Sequence, residues 1–324
     1  SLSIFIMTIY LIKKTKGILD IYYIFSPFLI GMAIFGGFAF RKDIFIITLL
    51  AIGLTIFCSS ISKIRKFFFF NFISIIAILS HEAYFFFSMP GIILFSIKND
   101  DKIRTLLSKL LFIFPSGIAF FLTIIFRGNR DISIAIYNSW DFFWNSLNAV
   151  SYVASKPTNA IDAISWSVLG AFTLSHDIFI KFKYGIHIPF LWLLFIIILS
   201  LVIIKSVKNH NQKDLIEILI IQFISISPLF IIGCDYGRWI FYWILSSILF
   251  YINDFKLFIS IINIPNIVFE KNSILKLFDQ KYISWIYLFI GMPSSGLSLK
   301  KIITHSPIYY IFDFINSFIY KYLI

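Results

Sequence analysis

Charged side chains are scarce in this chain: Asp, Glu, Lys and Arg together make up 14% of its 324 residues. Soluble globular domains carry about 25% charged residues, so this composition argues against a soluble fold. Hydrophobic residues make up 59% of the chain instead. Several apolar runs reach the roughly 18 residues that a helix needs to cross a bilayer, and they are continuous rather than alternating as in β-barrel strands.

Cysteine is rare, and nucleotide-binding motifs are missing. The chain has only Cys58 and Cys234, and two isolated cysteines specify neither a disulfide framework nor a metal site. It contains no Walker A motif and no glycine-rich dinucleotide fingerprint, so nothing in it indicates nucleotide hydrolysis or redox chemistry. We therefore expect no cofactor and no metal.

Positive charge is plentiful, but it is confined to short linkers between the apolar runs. The formal net charge is +12. Because cytoplasmic loops of membrane proteins collect Lys and Arg, this excess indicates membrane topology rather than nucleic-acid binding. Membrane lipids are expected partners, and nucleic acid is not.

The apolar runs predict an all-α fold, a polytopic transmembrane helix bundle with about 9–11 spans or half-spans. We expect a single membrane domain over residues 1–324. A basic segment, "KKTK", follows the first run, whereas a signal peptide carries its charge first, so the chain as given is expected to start inside a span, with one or more helices missing upstream. The predicted spans are 1–12 (partial), 18–40, 44–62, 67–97, 105–126, 186–204, 215–233, 239–253 and one near 283–296.

The run 67–97 decides the topology. As one helix it would be about 46 Å long, well beyond a hydrocarbon core of about 30 Å. Two limbs that turn near Ser80–Ala83 return the chain to the cytoplasm and leave the Lys205–Lys213 linker inside, as the positive-inside rule requires. We favour the two limbs. A single pass would place that linker outside.

The two-limb arrangement puts three polar features on the outer, periplasmic face. They are His81–Glu82, the segment "GCDYGRW" at 233–239, and the long loop 127–185. The loop has aromatic anchors at helical spacing, which predicts short helices resting at the membrane interface.

The first candidate site is "SHEAYFFFSMP", in which His81 and Glu82 interrupt an apolar run. The start resembles a zinc-protease signature, but position 85 is Phe and the second histidine ligand is absent. Ionisable residues in a membrane span usually line a cavity, which favours a general base or an acid–base pair. The alternative is a turn at the interface where both groups meet water.

The second candidate site is "DYGRWIFYW". Asp235 and Arg238 are three residues apart and can pair across one helical turn. The fork of the Arg238 guanidinium suits a phosphate or a carboxylate. The alternative is a tight turn between helices, closed by an ion pair.

Two further arginines, Arg127 and Arg130 in "FRGNRD", lie at the predicted outer end of a helix. They could add positive charge to an anion site. Basic residues at helix ends also anchor lipid headgroups, and this alternative is the stronger one here.

The "HE" pair before a Pro-ended aromatic run, the "D-x-G-R-W" turn, the long outer loop and the outer arginines together define a resemblance. The chain resembles the Wzy-type O-antigen and capsule polymerases, with the related O-antigen ligases and EpsG-like membrane proteins of polysaccharide clusters. The resemblance is architectural and covers most of the chain. Family members are usually larger.

The resemblance implies a glycosyltransferase of the bacterial inner membrane that polymerises repeat units carried on undecaprenyl diphosphate. His81 or Glu82 would be the base, Asp235 would orient Arg238, and Arg238 with Arg127 or Arg130 would hold the diphosphate. It implies no metal or nucleotide. A chain-length regulator protein is an expected partner.

Other classes stay open. A lipid-sugar-dependent GT-C glycosyltransferase expects an acidic residue in the first outer loop, for which Asp43 in "RKD" is the candidate. A transporter or flippase expects charges at mid-membrane, whereas most charges here lie at helix ends. A membrane scaffold without catalysis is the third alternative.

Overall fold

The computed structural model describes residues 2–15, 42–97, 106–140, 159–181, 194, 196–201, 203–204, 212–233, 236–257 and 306–323. The predicted spans at 18–40 and near 283–296 lie outside these residues, as does part of the predicted span at 186–204. Asp235 also lies outside them.

The described residues are mostly helical. The described positions between 194 and 204 are helical as well. The helices are α1 Leu2–Thr15, α2 Lys42–Cys58, α3 Lys63–Ser80, α4 Ala83–Leu94, α5 Leu106–Ile125, α6 Arg130–Ser139, α7 Asn159–Ala163, α8 Val168–Lys181, α9 Gln212–Ile232, α10 Tyr236–Ile252 and α11 Pro307–Leu323, and the strands are β1 Phe95–Ile97 and β2 Phe255–Leu257.

The run 67–97 forms two limbs, as predicted. Helix α3 ends at Ser80, where His81 takes an extended conformation (φ −164°, ψ 120°), and α4 begins at Ala83. Phe85 at the start of α4 stacks on Phe120 near the end of α5, with ring centroids 4.1 Å apart. The carbonyl of Phe95, just after α4, accepts a hydrogen bond from Lys109 near the start of α5. Helix α4 therefore runs antiparallel to α5.

A short two-stranded sheet at the C-terminal ends of α4 and α10 is an addition to the predicted all-α fold. Strands β1 and β2 pair antiparallel, with Phe95 opposite Leu257 and Ile97 opposite Phe255. Asp254 makes the turn from α10 into β2 with a φ of 59°, a left-handed conformation that Asp tolerates better than most residues. A strand of three residues is too short to show alternating polar and apolar side chains, so the predicted span 67–97 included β1 with the preceding helix.

Helix α10 is the central element of the core. Every residue from Trp239 to Ile252 is buried. A helix that is apolar on all sides must be surrounded by protein or lipid, and here α2, α4 and α9 pack against it. Gly91 permits the close approach of α4, because a Cβ at this position would lie 2.3 Å from the ring of Phe250.

A buried amide fastens α3 to α5. Asn71 Nδ2 donates to the Phe112 carbonyl at 2.8 Å, and Asn71 Oδ1 accepts from the Ser116 backbone at 3.3 Å and from its hydroxyl at 2.7 Å. These partners flank Pro115, which has no backbone N–H to donate. The Asn71 side chain therefore hydrogen-bonds α5 on both sides of Pro115.

Two described helices, α5 and α9, are long and apolar enough to cross a membrane. Helix α5 is the more exposed of the two, with 28% of its most apolar stretch buried against 44% for α9. Apolar side chains of α5 that are at least 61% exposed are Leu107, Leu111, Phe114, Phe121 and Ile125. This supports membrane association, whereas the larger number of spans stays a prediction.

We predict that Asn71→Leu destabilises the protein. The change leaves the Ser116 hydroxyl and the Phe112 carbonyl without their buried partner, which costs about 1–3 kcal/mol. Thermal unfolding of the detergent-solubilised protein should show a Tm lower by several degrees. Asn138→Leu, the same change at an exposed position of α6, is the control and should leave the Tm in place. Equal Tm values for both variants would contradict this role of Asn71.

Candidate functional site

Charged and aromatic side chains from three parts of the chain meet at one end of the bundle. Asp43 lies in the first turn of α2, and Arg238 lies in the first turn of α10, with Tyr242 one turn further along. His81 and Glu82 occupy the break between α3 and α4. We call these five residues the helix-end cluster.

An ion pair joins α2 to α10 within the cluster. Arg238 Nε and Nη2 donate to Asp43 Oδ1 at 3.0 and 2.8 Å. The Tyr242 hydroxyl also donates to Asp43 Oδ1. The side chains of Arg238 and Asp43 are only 12% and 5% exposed. Removing one partner of such a pair leaves an uncompensated buried charge, so each side chain requires the other.

The Arg238 guanidinium also contacts His81. Nη2 of Arg238 lies 2.9 Å from Nε2 of His81. Guanidinium nitrogens only donate, so Nε2 must accept, and the imidazole is then neutral with its proton on Nδ1. Nδ1 lies 3.2 Å from Glu82 Oε2 and 3.4 Å from the Ala83 backbone nitrogen. The Nδ1 proton therefore points toward the carboxylate, the nearer of the two.

Glu82 is the cluster member that reaches solvent. Its side chain is 61% exposed, whereas that of His81 is 8% exposed. Burial raises the pKa of the Glu82 carboxyl, but the hydrogen bond from His81 and the charge of Lys42 outweigh this and lower the pKa to about 2. Glu82 is therefore a carboxylate at any physiological pH.

Aromatic rings form the walls around the charges. The Arg238 guanidinium carbon lies 5.2 Å from the centre of the Trp239 ring, a cation–π distance. Phe87 stacks on Tyr242 with ring centroids 4.9 Å apart, and His81 meets Tyr242 edge-on. This apolar surround lowers the local dielectric constant, which strengthens the attraction between the guanidinium and any anion beside it.

A helix of the long loop 127–185 lies at the same end of the bundle. The Ser175 hydroxyl on α8 donates to the Ile232 carbonyl at 3.0 Å, beside the link from α9 to α10. Ser133 on α6 donates to the Ile161 carbonyl of α7, so the described loop helices pack on one another. Short helices in this loop were predicted. Their position at a membrane interface stays a prediction.

The structure brings together two of the predicted site features. His81 and Arg238, which the two-limb arrangement predicted on one face, are in direct contact, and Glu82 contacts His81. Arg127 and Arg130 are both exposed, and the hydrogen bonds that join the cluster involve neither of them. The predicted pairing of Arg238 with Asp235 concerns a residue outside the described ranges. The catalytic roles of all these residues stay predictions.

The sequence did not predict that Asp43 and Tyr242 lie beside Arg238. Asp43 was considered only for the GT-C alternative, yet it is the carboxylate that Arg238 binds. The position of Asp43 in the "RKD" turn could have indicated this contact, because the predicted topology puts that turn on the same face as His81. Tyr242 lies four residues after Arg238, a spacing that places both side chains on one face of a helix.

Comparisons with known proteins found no similar sequence or fold: no family model, no curated protein and no solved structure matches the chain. In the described ranges, no group of three or more His, Cys, Asp or Glu side chains is placed to hold a metal ion. The chemistry that the described cluster can perform is proton transfer at the imidazole and charge stabilisation at the guanidinium.

We predict that Glu82 contributes stability that is lost in acid. Its pKa lies below the ordinary value of 4.5, so the contribution is complete above pH 4.5 and declines as the pH falls toward 2. The Tm difference between the wild type and Glu82→Gln should therefore shrink between pH 4.5 and 2. In a His81→Gln background, the pKa of Glu82 in the folded protein lies closer to 4.5, so the decline should be smaller and end at a higher pH. A difference that is independent of pH would contradict the coupling of the two side chains.

Proposed function

We propose that the chain is a glycosyltransferase of the bacterial inner membrane that polymerises oligosaccharide repeat units carried on undecaprenyl diphosphate, at the periplasmic face. The observation that carries the proposal is the 2.9 Å contact between a neutral imidazole and a mostly buried guanidinium. This places a base and an anion-binding group next to each other, and glycosyl transfer from a lipid diphosphate needs both.

The reaction assigns one step to each group. His81 Nε2 takes the proton of the acceptor hydroxyl, whose oxygen then bonds the anomeric carbon of the donor glycan. The bond between that carbon and the phosphate oxygen breaks, and the diphosphate leaves with the electron pair. Arg238 stabilises the departing charge, and Glu82 stabilises the imidazolium that forms.

The contact between Arg238 and His81 gives the proposed reaction an order. In this structure, the Nε2 lone pair of His81 faces Arg238 and is not available to an acceptor hydroxyl. A bound diphosphate offers Nη2 a stronger, charged acceptor than an imidazole. When Nη2 donates to the diphosphate instead of to His81, Nε2 is left as a base, so that activation of the acceptor waits for the donor lipid.

The apolar helices fit the physical state of such a substrate. An undecaprenyl lipid stays in the bilayer, so its enzyme must present the site at the membrane surface. Helices α5 and α9 have the length and apolar composition of spans, and the cluster includes the start of α10, the helix that follows α9. A site at the end of apolar helices supports a substrate whose headgroup lies at the membrane surface.

The second candidate is a GT-C glycosyltransferase that transfers a single sugar from a lipid carrier. The position of Asp43 in the cluster favours it, since its Oδ2 atom is buried and has no hydrogen-bond partner among the residues that the structure describes. Asp43 would then be the base. Against this, Oδ1 of the same carboxylate accepts from Arg238 and Tyr242, which makes the group a weaker base.

We predict that His81→Gln abolishes polymer formation while the protein still folds. Glutamine keeps an acceptor for Arg238 but cannot take a proton, so the rate should fall by about 10²–10⁴-fold, the usual contribution of a general base. The measurement is the length distribution of surface polysaccharide in cells that express only the variant. His176→Gln, at an exposed histidine of α8, is the matched control and should leave the distribution unchanged.

Arg238→Lys should also abolish the polymer, because an ammonium group cannot reproduce the guanidinium fork. Arg65→Lys, at an exposed arginine of α3, is the control for this change. Normal polymer from both cluster variants, with the protein present at wild-type level, would exclude the proposal. Single added sugars in place of a polymer in wild-type cells would favour the GT-C candidate.

A further inference from the structure

We infer that Asp43 is the positioning residue of Arg238, and that Tyr242 fixes the Asp43 carboxylate in that role. The inference rests on the proposed function, because it takes Arg238 as the group that binds the donor diphosphate. It adds a residue at the start of α2, far from Arg238 in sequence, to the machinery of the site.

The hydrogen-bond geometry carries the first step. Oδ1 of Asp43 accepts from Nε and from Nη2 of Arg238, so one whole edge of the guanidinium plane faces a single oxygen. A flexible arginine side chain held along one edge has a fixed plane and a fixed direction. Asp43 therefore determines which edge of Arg238 a ligand can meet.

The carboxylate is itself held from the opposite helix. Tyr242 lies on α10, as Arg238 does, and its hydroxyl donates to the same Oδ1 atom. The Tyr242 side chain is fully buried, and Phe87 of α4 stacks on its ring. All of the described hydrogen bonds to Asp43 reach Oδ1, whereas Oδ2 has no partner in the described residues. This one-sided anchoring aims the carboxylate at the guanidinium.

A purely structural role for the pair is the competing explanation. Buried ion pairs frequently contribute little net stability compared with apolar side chains of similar volume, so joining α2 to α10 does not by itself require these residues. The two explanations predict different measurements. A positioning residue changes the ligand affinity of a protein that stays folded, and does so through Arg238, whereas a purely structural residue changes the Tm and leaves the affinity of the folded protein unaltered.

The test measures binding of undecaprenyl diphosphate, without sugar, to the full chain in phospholipid nanodiscs. Asp43→Asn keeps the shape of the side chain and removes its charge, and the dissociation constant should rise by at least tenfold. Tyr242→Phe should raise it by a few fold. Glu217→Gln is the matched control: Glu217 is a buried carboxylate on α9 that also faces a cation, Lys213, and this change should leave the dissociation constant unaltered.

The decisive comparison uses a double variant. In an Arg238→Gln background, Asp43→Asn should change the dissociation constant by less than twofold, since the group it positions is gone. In turnover assays, Asp43→Asn should raise the KM for the donor lipid and keep the shape of the pH–rate profile. Loss of one limb of that profile would make Asp43 a base instead and overturn the inference.

The outcomes separate the inference from the proposed function. If Arg238→Gln weakens binding but Asp43→Asn does not, Asp43 is not a positioning residue, and the diphosphate site still stands. If neither variant weakens binding, the diphosphate site itself is wrong. If Asp43→Asn fails to fold, Tyr242→Phe decides alone, because it removes one hydrogen bond and no charge, and wild-type affinity in that variant overturns the inference.

Discussion

The buried ion pair between Asp43 and Arg238 is the constraint on which this end of the bundle depends. Arg238 lies in the first turn of α10, where the helix dipole disfavours a cation, and its side chain is 12% exposed. Such a charge is tolerated only with a partner, and Asp43 supplies it from the first turn of α2. Pairing them joins the starts of two helices, and the imidazole of His81, at the break between α3 and α4, contacts the same guanidinium.

The rest of the bundle supports this arrangement with apolar contacts. Helix α10 is buried from Trp239 to Ile252, and the ion pair of Arg238 with Asp43 lies at its N-terminal end. Gly91 brings α4 against Phe250, and Asn71 holds α3 on α5 beside Pro115. Charged groups would gain hydration free energy by separating and moving into water. Close packing of the surrounding side chains resists that movement. The cluster is thus a polar site with a rigid apolar base, an arrangement suited to preorganised electrostatics.

Sequence reasoning recovered the features that follow from local physical limits. The 67–97 run is too long for one span, so the break at His81 was predictable, and topology then placed His81 with Arg238. The partner of Arg238 was not predictable in this way. Asp235 is three residues away and was the natural choice, whereas Asp43 meets Arg238 only through tertiary packing. Strand β1 was not predicted for the same reason, because it pairs with β2, a segment that is distant in sequence.

The sequence separation within the ion pair has a consequence for biogenesis. Asp43 and Arg238 are 195 positions apart, and a ribosome adds about 5–20 residues per second. The carboxylate therefore leaves the ribosome on the order of 10–40 seconds before its cation has been synthesised. Throughout that interval the N-terminus of α2 has to remain hydrated or protonated, because burial without a counter-charge is too costly. This end of the molecule can thus close only after Arg238 has been synthesised, and a nascent chain released before that point lacks the residue that would allow it.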